Sequence, residues 1–188
     1  KKRNMKVLFS VSHPAQVHVV KNICRSLEKR GHDYLILGSH KEIVEDLLKR
    51  FDLKYILVAK NRKKLLMKVW ELIKSTMKSY VICKKFQPDI VFGTGYYAAY
   101  AAKMLDIPVI SQGDSEPALK KIGKWLFLPF NECVLVPECY GYDFGPKMVK
   151  YQGYKELTYL HPNNFSPDWS ACEDLGIKSQ EIFFILRF

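Results

Sequence analysis

The sequence predicts an α/β fold in which a parallel sheet is covered by helices on both faces. Short runs of apolar and β-branched residues alternate along the chain with segments whose apolar residues recur every three or four positions. The short runs are apolar at successive positions, which is typical of parallel strands that are buried on both sides. Of the 188 residues, 48% are hydrophobic and 26% are charged, a composition that excludes disordered and fibrous proteins.

The predicted elements follow one another in a regular order. A first strand is predicted at Lys6–Val11 (KVLFSV), followed by a helix over 15–29 that Gly31 ends. The later strands are predicted at 34–37, 54–58, 89–92, 108–111, 133–136 and 147–151. The later helices are predicted at about 43–51, 61–86, 97–105, 119–128 and 169–175. Strands that alternate with helices in this way form a parallel sheet.

A linker divides the chain near its end. Residues 161–168 (HPNNFSPD) are rich in turn formers, and 181–186 (EIFFIL) is an apolar run typical of a buried strand. We therefore expect a first domain over 1–160, and over 161–188 a linker with the first strand of a truncated second domain. Without its neighbours, that strand is expected to be poorly ordered or paired with something else.

Positive charge is concentrated in one segment. The net charge is +11, and residues 60–85 hold nine Lys and Arg against one acidic residue, Glu71. This imbalance indicates an anionic partner. Nucleic acid is not expected, because the basic residues lie on a helix with Trp70 and Met77 rather than beside an aromatic sheet face.

Two interpretations of the 61–86 helix stay open, and both can hold, with the later turns packed and the first turns presented. In one, an apolar stripe packs on the sheet and consists of Leu66, Val69, Trp70, Ile73, Met77 and Tyr80. In the other, the start of the helix contacts an anionic membrane surface through Arg62, Lys63, Lys64, Leu65, Lys68 and Trp70.

The five cysteines are scattered without a C-x-x-C pair, which favours free thiols in the cytoplasm. The five histidines are also spread out, so no metal site and no cofactor are expected.

Three loops follow predicted strands one, four and five, and they carry the candidate site. Because the carboxyl ends of parallel strands share one edge, residues 12–18, 93–97 and 112–117 are expected to line one crevice there. The first loop offers Ser12, His13, Gln16 and His18 at a helix start. His18 is the candidate base, with local packing as the alternative.

The second loop is Gly93-Thr94-Gly95-Tyr96, whose glycines allow close backbone approach to a ligand. Extended to Ala98, it also satisfies the dinucleotide pattern G-x-G-x-x-A, although that pattern normally follows the first strand, and a tight strand-to-helix turn is the alternative. The third loop contributes Asp114, Ser115 and Glu116, which suit contacts to sugar hydroxyls or a helix cap.

Taken in order, these segments resemble a known family. The segments SHPAQVHVVKNICRSLEKRGHDY, PDIVFGTGYYAAYAAKMLDIPVI and QGDSEPALKKIGKWLFLPFNECVLVPE are similar to the amino-terminal half of GT-B glycosyltransferases of the MurG type. Through YQGYKELTYLHP, the sequence more closely resembles an archaeal-type family of unknown function related to MurG and to UDP-N-acetylglucosamine 2-epimerases. The first loop departs from the pattern in having no glycine.

The resemblance implies a Rossmann-like GT-B amino-terminal domain that binds the acceptor, with the nucleotide sugar bound mainly by a second domain. It implies that His18 and the residues of the second and third loops line the active-site cleft. It also implies a cytoplasmic enzyme that acts on a lipid-linked acceptor at the inner face of the membrane, and a fragment that is inactive alone. A 2-epimerase using Asp114 and Glu116, or a nucleotide-binding module without catalysis, remain the alternatives.

Overall fold

The computed structural model describes residues 4–113, 125–126, 128–178 and 181–186. Within them, seven parallel strands form one sheet in the order β3-β2-β1-β4-β5-β6-β7. The strands are β1 (Lys6–Val11), β2 (Asp33–His40), β3 (Tyr55–Lys60), β4 (Ile90–Gly93), β5 (Val109–Gln112), β6 (Cys133–Pro137) and β7 (Met148–Tyr151). The order reverses at β1, which pairs with β2 on one side and with β4 on the other. Such a switch point opens a crevice at the carboxyl ends of the central strands.

The helices of the described residues connect these strands or follow them. They are α1 (Pro14–Lys29), α2 (Glu42–Arg50), α3 (Leu65–Phe86), α4 (Tyr96–Lys103), α5 (Leu157–Leu160) and α6 (Ser170–Glu173). The predicted fold class is confirmed, and within the described residues the strands and helices predicted between residues 6 and 151 agree with the observed ones apart from shifts at their ends. Most of the helix predicted at 119–128 lies outside the described residues.

Alternate residues of β1 point to the two faces of the sheet. Val7, Phe9 and Val11 pack with α1 and α2, whereas Leu8 belongs to the core under α3 and α4. Both cores are clusters of mainly aliphatic and aromatic side chains, so β1 is buried on both faces as its apolar sequence predicts.

The buried face of α3 is the opposite of the one that the apolar stripe predicts. The side chains of Leu66 and Trp70 are 85% and 68% exposed, and the outward stripe also contains Leu65, Met67, Val69, Ile73, Met77 and Val81. The buried residues of α3 are Glu71, Ser75, Thr76, Ser79 and Cys83. The prediction that the apolar stripe packs on the sheet is therefore wrong for five of its six residues, and the sixth, Tyr80, is half-buried. The five exposed residues are Leu66, Val69, Trp70, Ile73 and Met77.

Small residues explain this orientation of α3. Its buried face lies against α4, whose buried side chains are mainly alanines, so the two helices approach closely. The hydroxyl of Ser75 donates to the carbonyl of Glu71 at 2.6 Å, and that of Ser79 donates to the carbonyl of Ser75 at 2.8 Å. These bonds along the helix satisfy the hydroxyls without a partner from the sheet. Among the described residues, no helix combines the length and the apolar character needed to cross a membrane.

Beyond β7, the described residues include a short helix on α1 and a segment without regular structure. Helix α5 lies on α1, where the side-chain amide of Asn22 donates to the carbonyl of Thr158 at 2.7 Å. The strand predicted at 181–186 is not formed, because these residues adopt neither helix nor strand, and Phe184 is 85% exposed. They take no part in the seven-stranded sheet. The domain division near residue 160 stays a prediction.

Candidate functional site

A cavity of about 70 Å³ lies at the switch point, where β1 and β4 end. Its lining combines apolar side chains of α1 and β4 with polar groups from β1, from the loops after β1 and β4, from the end of β5 and from Lys155. The lining residues are Ser10, Ala15, Gln16, Val19, Val20, Phe92, Gly93, Thr94, Gln112 and Lys155. The first two loops thus converge as the sequence predicts, in a space that suits one small chemical group rather than a whole sugar nucleotide.

The first loop caps α1 with its own side chains. The amide N–H of Ala15 donates to Nδ1 of His13 at 3.3 Å. The N–H groups of Ser12 and His13 both donate to Oε1 of Gln16, at 2.7 and 3.2 Å. This reciprocal arrangement is a capping box, in which His13 serves the helix start.

Gln16 also joins the two loops. Its Nε2 donates to the hydroxyl oxygen of Thr94 at 2.6 Å, across the gap between the ends of β1 and β4. One side chain therefore fixes the first loop and sets the position of the second.

The second loop needs its glycines for steric reasons. Gly93 has φ +142°, and a Cβ there would overlap the carbonyl oxygen of Ser10. A Cβ on Gly95 would overlap the hydroxyl oxygen of the same serine. The two glycines let β4 and the start of α4 close against β1, whereas the Tyr96 ring lies outside the cavity, 38% exposed.

The third wall of the crevice begins at the end of β5. Gln112 lines the cavity and its Nε2 donates to the Tyr151 hydroxyl at 2.9 Å. Asp114, Ser115 and Glu116 lie outside the described residues, and their roles stay predictions. Among the described lining residues, Lys155 alone carries a charge, and its Nζ lies 3.9 Å from Oε1 of Glu156.

His18 is absent from the lining of this cavity, although Gln16 and Val19, which flank it on α1, both belong to the lining. Its ring packs between Phe51 and Tyr159, with ring centroids 5.4 and 5.6 Å away. Burial, with a smaller contribution from the charge of Lys21, lowers the pKa of His18, so the neutral ring is favoured. The structure does not bring His18 together with the cavity residues, and its catalytic role stays a prediction.

The predicted membrane-contact residues cluster at the start of α3. Lys63, Lys64, Leu65, Lys68 and Trp70 are all exposed. Arg62 differs, because its Nε lies 3.3 Å from Oε2 of Glu71, whose other oxygen accepts the N–H of Lys60 at 3.0 Å. The Arg62 hydrogen bond, together with the Lys60 N–H, lowers the pKa of Glu71 against the opposing effect of burial.

Sequence reasoning missed Ser10 and Lys155 as contributors to the crevice. Ser10 lies within β1, where pairing with the neighbouring strand hides its role, and Lys155 is distant in sequence. Gln16 stood in the candidate loop, but nothing in the sequence pointed to its bond with Thr94. The sequence signal for Gln16 was the S/T-x-x-Q spacing of a capping box, in which His13 takes the place of the Ser or Thr. This spacing predicts the helix cap and not the bond to Thr94.

The cavity can bind a polar group against an apolar wall. Ala15, Val19 and Phe92 offer apolar surface, while Thr94 and Gln112 offer hydroxyl and amide groups. Among the described residues, no group of three or more His, Cys, Asp or Glu side chains could hold a metal ion.

Comparisons of sequence identify relatives of this chain, although no protein-family model matches it. The chain is 27% identical over 191 aligned residues to the UDP-N-acetylglucosamine–N-acetylmuramyl-(pentapeptide) pyrophosphoryl-undecaprenol N-acetylglucosamine transferase of Oceanobacillus iheyensis. That alignment covers 94% of this chain and 50% of the transferase. The same enzyme of Protochlamydia amoebophila is 40% identical over 75 residues, which are 37% of this chain and 19% of the enzyme. The chain therefore spans about half the length of the relative that it matches most fully.

Solved structures show the same fold. MurG of Acinetobacter baumannii matches with a TM-score of 0.62 at 15% identity, over 78% of this chain and 45% of that one. A glycosyltransferase of Rickettsia africae matches with 0.61 at 17% identity, over 95% and 51%. The UDP-GlcNAc 2-epimerase of Neisseria meningitidis matches with 0.55 at 18% identity, over 70% and 40%. The chain is thus homologous to the amino-terminal half of MurG-type N-acetylglucosamine transferases, with the Rossmann-like GT-B fold that these enzymes share with the UDP-N-acetylglucosamine 2-epimerases.

Proposed function

We propose that this chain is the acceptor-binding half of a GT-B glycosyltransferase that uses a nucleotide sugar and a lipid-linked acceptor. The observation that carries the proposal is the 27% identity, over 94% of the chain, to a transferase named for a UDP-N-acetylglucosamine donor and a pyrophosphoryl-undecaprenol acceptor. The donor would be held mainly by a second domain, because the chain spans only half of that relative.

The crevice supports acceptor binding by its size and chemistry. A cavity of about 70 Å³ with one apolar wall and hydroxyl and amide groups accommodates part of a sugar ring. Ser12 and His13 hold the first loop in shape, and Gly93 and Thr94 form the opposite wall, with Gly95 next in the chain. Tyr96, Asp114, Ser115 and Glu116 are proposed to extend the same surface around the substrate.

The direct test compares two ligands on the 188-residue chain by isothermal titration calorimetry. The ligands are a water-soluble, short-chain prenyl pyrophosphoryl N-acetylmuramyl peptide and UDP-N-acetylglucosamine. We expect the acceptor analogue to bind and the nucleotide sugar to bind more weakly. Tight binding of the nucleotide sugar without the acceptor analogue would instead favour the epimerase or a plain nucleotide-binding module.

A matched pair of variants locates the binding. Thr94→Val removes the hydroxyl that faces Gln16 and the cavity, and should weaken acceptor binding about tenfold, the effect of one lost hydrogen bond. Thr76→Val makes the same change inside α3, where the buried hydroxyl has no partner among the described residues, and should leave affinity unchanged. Equal affinities of the two variants would place the acceptor elsewhere.

We further propose that α3 docks the protein on an anionic membrane, where a lipid-linked acceptor would reside. Its exposed apolar stripe spans the helix from Leu65 to Val81 and is flanked at its start by Lys63, Lys64 and Lys68. An apolar face bordered by lysines suits the boundary between headgroups and acyl chains, where each basic residue contributes about 1 kcal/mol. Because α3 begins soon after β3 ends, its basic start lies at the sheet edge that carries the crevice.

Vesicle co-sedimentation tests the docking. The chain should bind vesicles that contain phosphatidylglycerol, and added salt should weaken the binding. Exchange of Lys63, Lys64 and Lys68 to Glu should abolish it, whereas the same exchange of Arg25, Lys29 and Arg30, on α1 and its carboxyl-terminal cap across the sheet, should not. Equal binding to neutral vesicles, or equal loss in both triple variants, would contradict the proposal.

A further inference from the structure

The amino terminus of α1 has no backbone N–H left for a ligand. Helix starts usually leave such groups unpaired, and anions bind there. Here Pro14 has no N–H, and the N–H of Ala15 donates to the His13 ring. The N–H of Gln16 donates to the His13 carbonyl at 3.0 Å.

The Gln16 side chain accepts hydrogen bonds from both backbone N–H groups that precede the helix. Oε1 of Gln16 accepts from the backbone of Ser12 at 2.7 Å and from that of His13 at 3.2 Å. The Ser12 hydroxyl approaches the same oxygen at 3.4 Å. An anion at this position would have to displace Gln16 from all of these donors.

The amide nitrogen of Gln16 determines how the Thr94 hydroxyl is oriented at the cavity. Because Nε2 of Gln16 donates to the Thr94 oxygen, the hydroxyl proton of Thr94 is directed to another acceptor. Beside it lie the apolar side chains of Ala15, Val19 and Phe92. A hydroxyl next to an apolar wall suits the ring of a sugar. Lys155, the charged residue among the described lining residues, has its Nζ 3.9 Å from Oε1 of Glu156.

We propose that Gln16 is a positioning residue that reserves the start of α1 for an uncharged, hydroxyl-bearing sugar ring and excludes phosphate from it. The inference rests on the proposed function and adds to it an orientation, in which the sugar of the acceptor lies against α1 and its pyrophosphate lies away from it.

The test titrates inorganic pyrophosphate into the chain and follows backbone amides by NMR. In the wild type, the amides of Ser12 and His13 should not shift. Gln16→Ala keeps the helical propensity but uncovers both N–H groups, and should bind pyrophosphate about tenfold more tightly, the effect of one hydrogen bond to a charged group. Gln16→Glu keeps the accepting oxygens and should leave the amides closed.

Each outcome decides the inference. A gain of binding in Gln16→Ala alone, with the other backbone amides of the variant unchanged from the wild type, supports it. Shifts of the Ser12 and His13 amides in the wild type, or no gain in Gln16→Ala, would overturn it. The assay involves neither acceptor nor nucleotide sugar, so its failure would leave the calorimetric comparison of those two ligands to decide the proposed function separately.

Discussion

Ser10 leaves no space beside it for a side chain at Gly93 or Gly95. Its carbonyl oxygen faces the first glycine and its hydroxyl the second, so the backbones of β1 and β4 are in contact and the start of α4 lies against the Ser10 side chain. The glycines, which the sequence presents as ligand-binding residues, are required first by this packing. The glycines would also allow a substrate to approach the backbone closely, because no side chain covers their polar N–H and C=O groups.

His18 is the residue whose interpretation a pH titration can settle. Its pKa lies below the ordinary value of 6.5, mainly because of burial. The unfolded chain therefore takes up the proton first, and the stability contributed by the neutral ring is present above the unfolded pKa and is lost as the pH falls below it. We expect the unfolding free energy of the wild type to fall more between about pH 7.5 and 5 than that of His18→Phe.

Urea denaturation at a series of pH values measures this difference. His40→Phe, at the exposed end of β2, is the matched control and should follow the wild type. Parallel curves for the wild type and His18→Phe would show that folding does not change the pKa of His18. In the protein that carries both halves, His18→Phe also separates packing from catalysis, because the variant keeps an aromatic ring but has no base.

Among the elements, α3 shows why hydrophobic periodicity alone does not orient a helix. The apolar residues recur at helical spacing and correctly predict the helix itself. The opposite face, however, carries Ser75, Ser79 and Cys83 at four-residue intervals, and small residues allow closer approach to the alanines of α4 than large ones would. The large apolar side chains of α3 are therefore exposed to solvent, as its lysines are.

Two reciprocal substitutions in α3 test this orientation. Ser79 is completely buried, so Ser79→Leu should lower the unfolding free energy by about 1–3 kcal/mol through overpacking against α4. Met77 is 50% exposed, so Met77→Ser should change it by no more than about 0.5 kcal/mol. Chemical denaturation measures both. The reverse order of effects would mean that the apolar stripe faces the sheet in solution.

At the scale of the whole molecule, the alternation of strands and helices was enough to predict the parallel sheet and to place two loops at one crevice. Continuous apolar runs such as KVLFSV identify central strands, and those runs determine where the loops begin. The bond from Gln16 to Thr94 spans 78 positions and depends on the side-chain direction at a helix start, which local patterns do not specify. The burial of His18 likewise depends on Tyr159, a residue that reaches α1 only through α5.

The central position of β1 has a consequence for the order in which the protein folds. Val7 pairs with Tyr34 on one side, but with Ile90 on the other. The first contact closes a short loop, whereas the second must wait for α3 and costs more chain entropy. The strands from β1 to β3 can therefore assemble early, while the crevice forms only when β4 enters the sheet. During synthesis on the ribosome, the flank of β1 that later joins β4 remains an open edge until then, and it is the surface that a chaperone would need to shield.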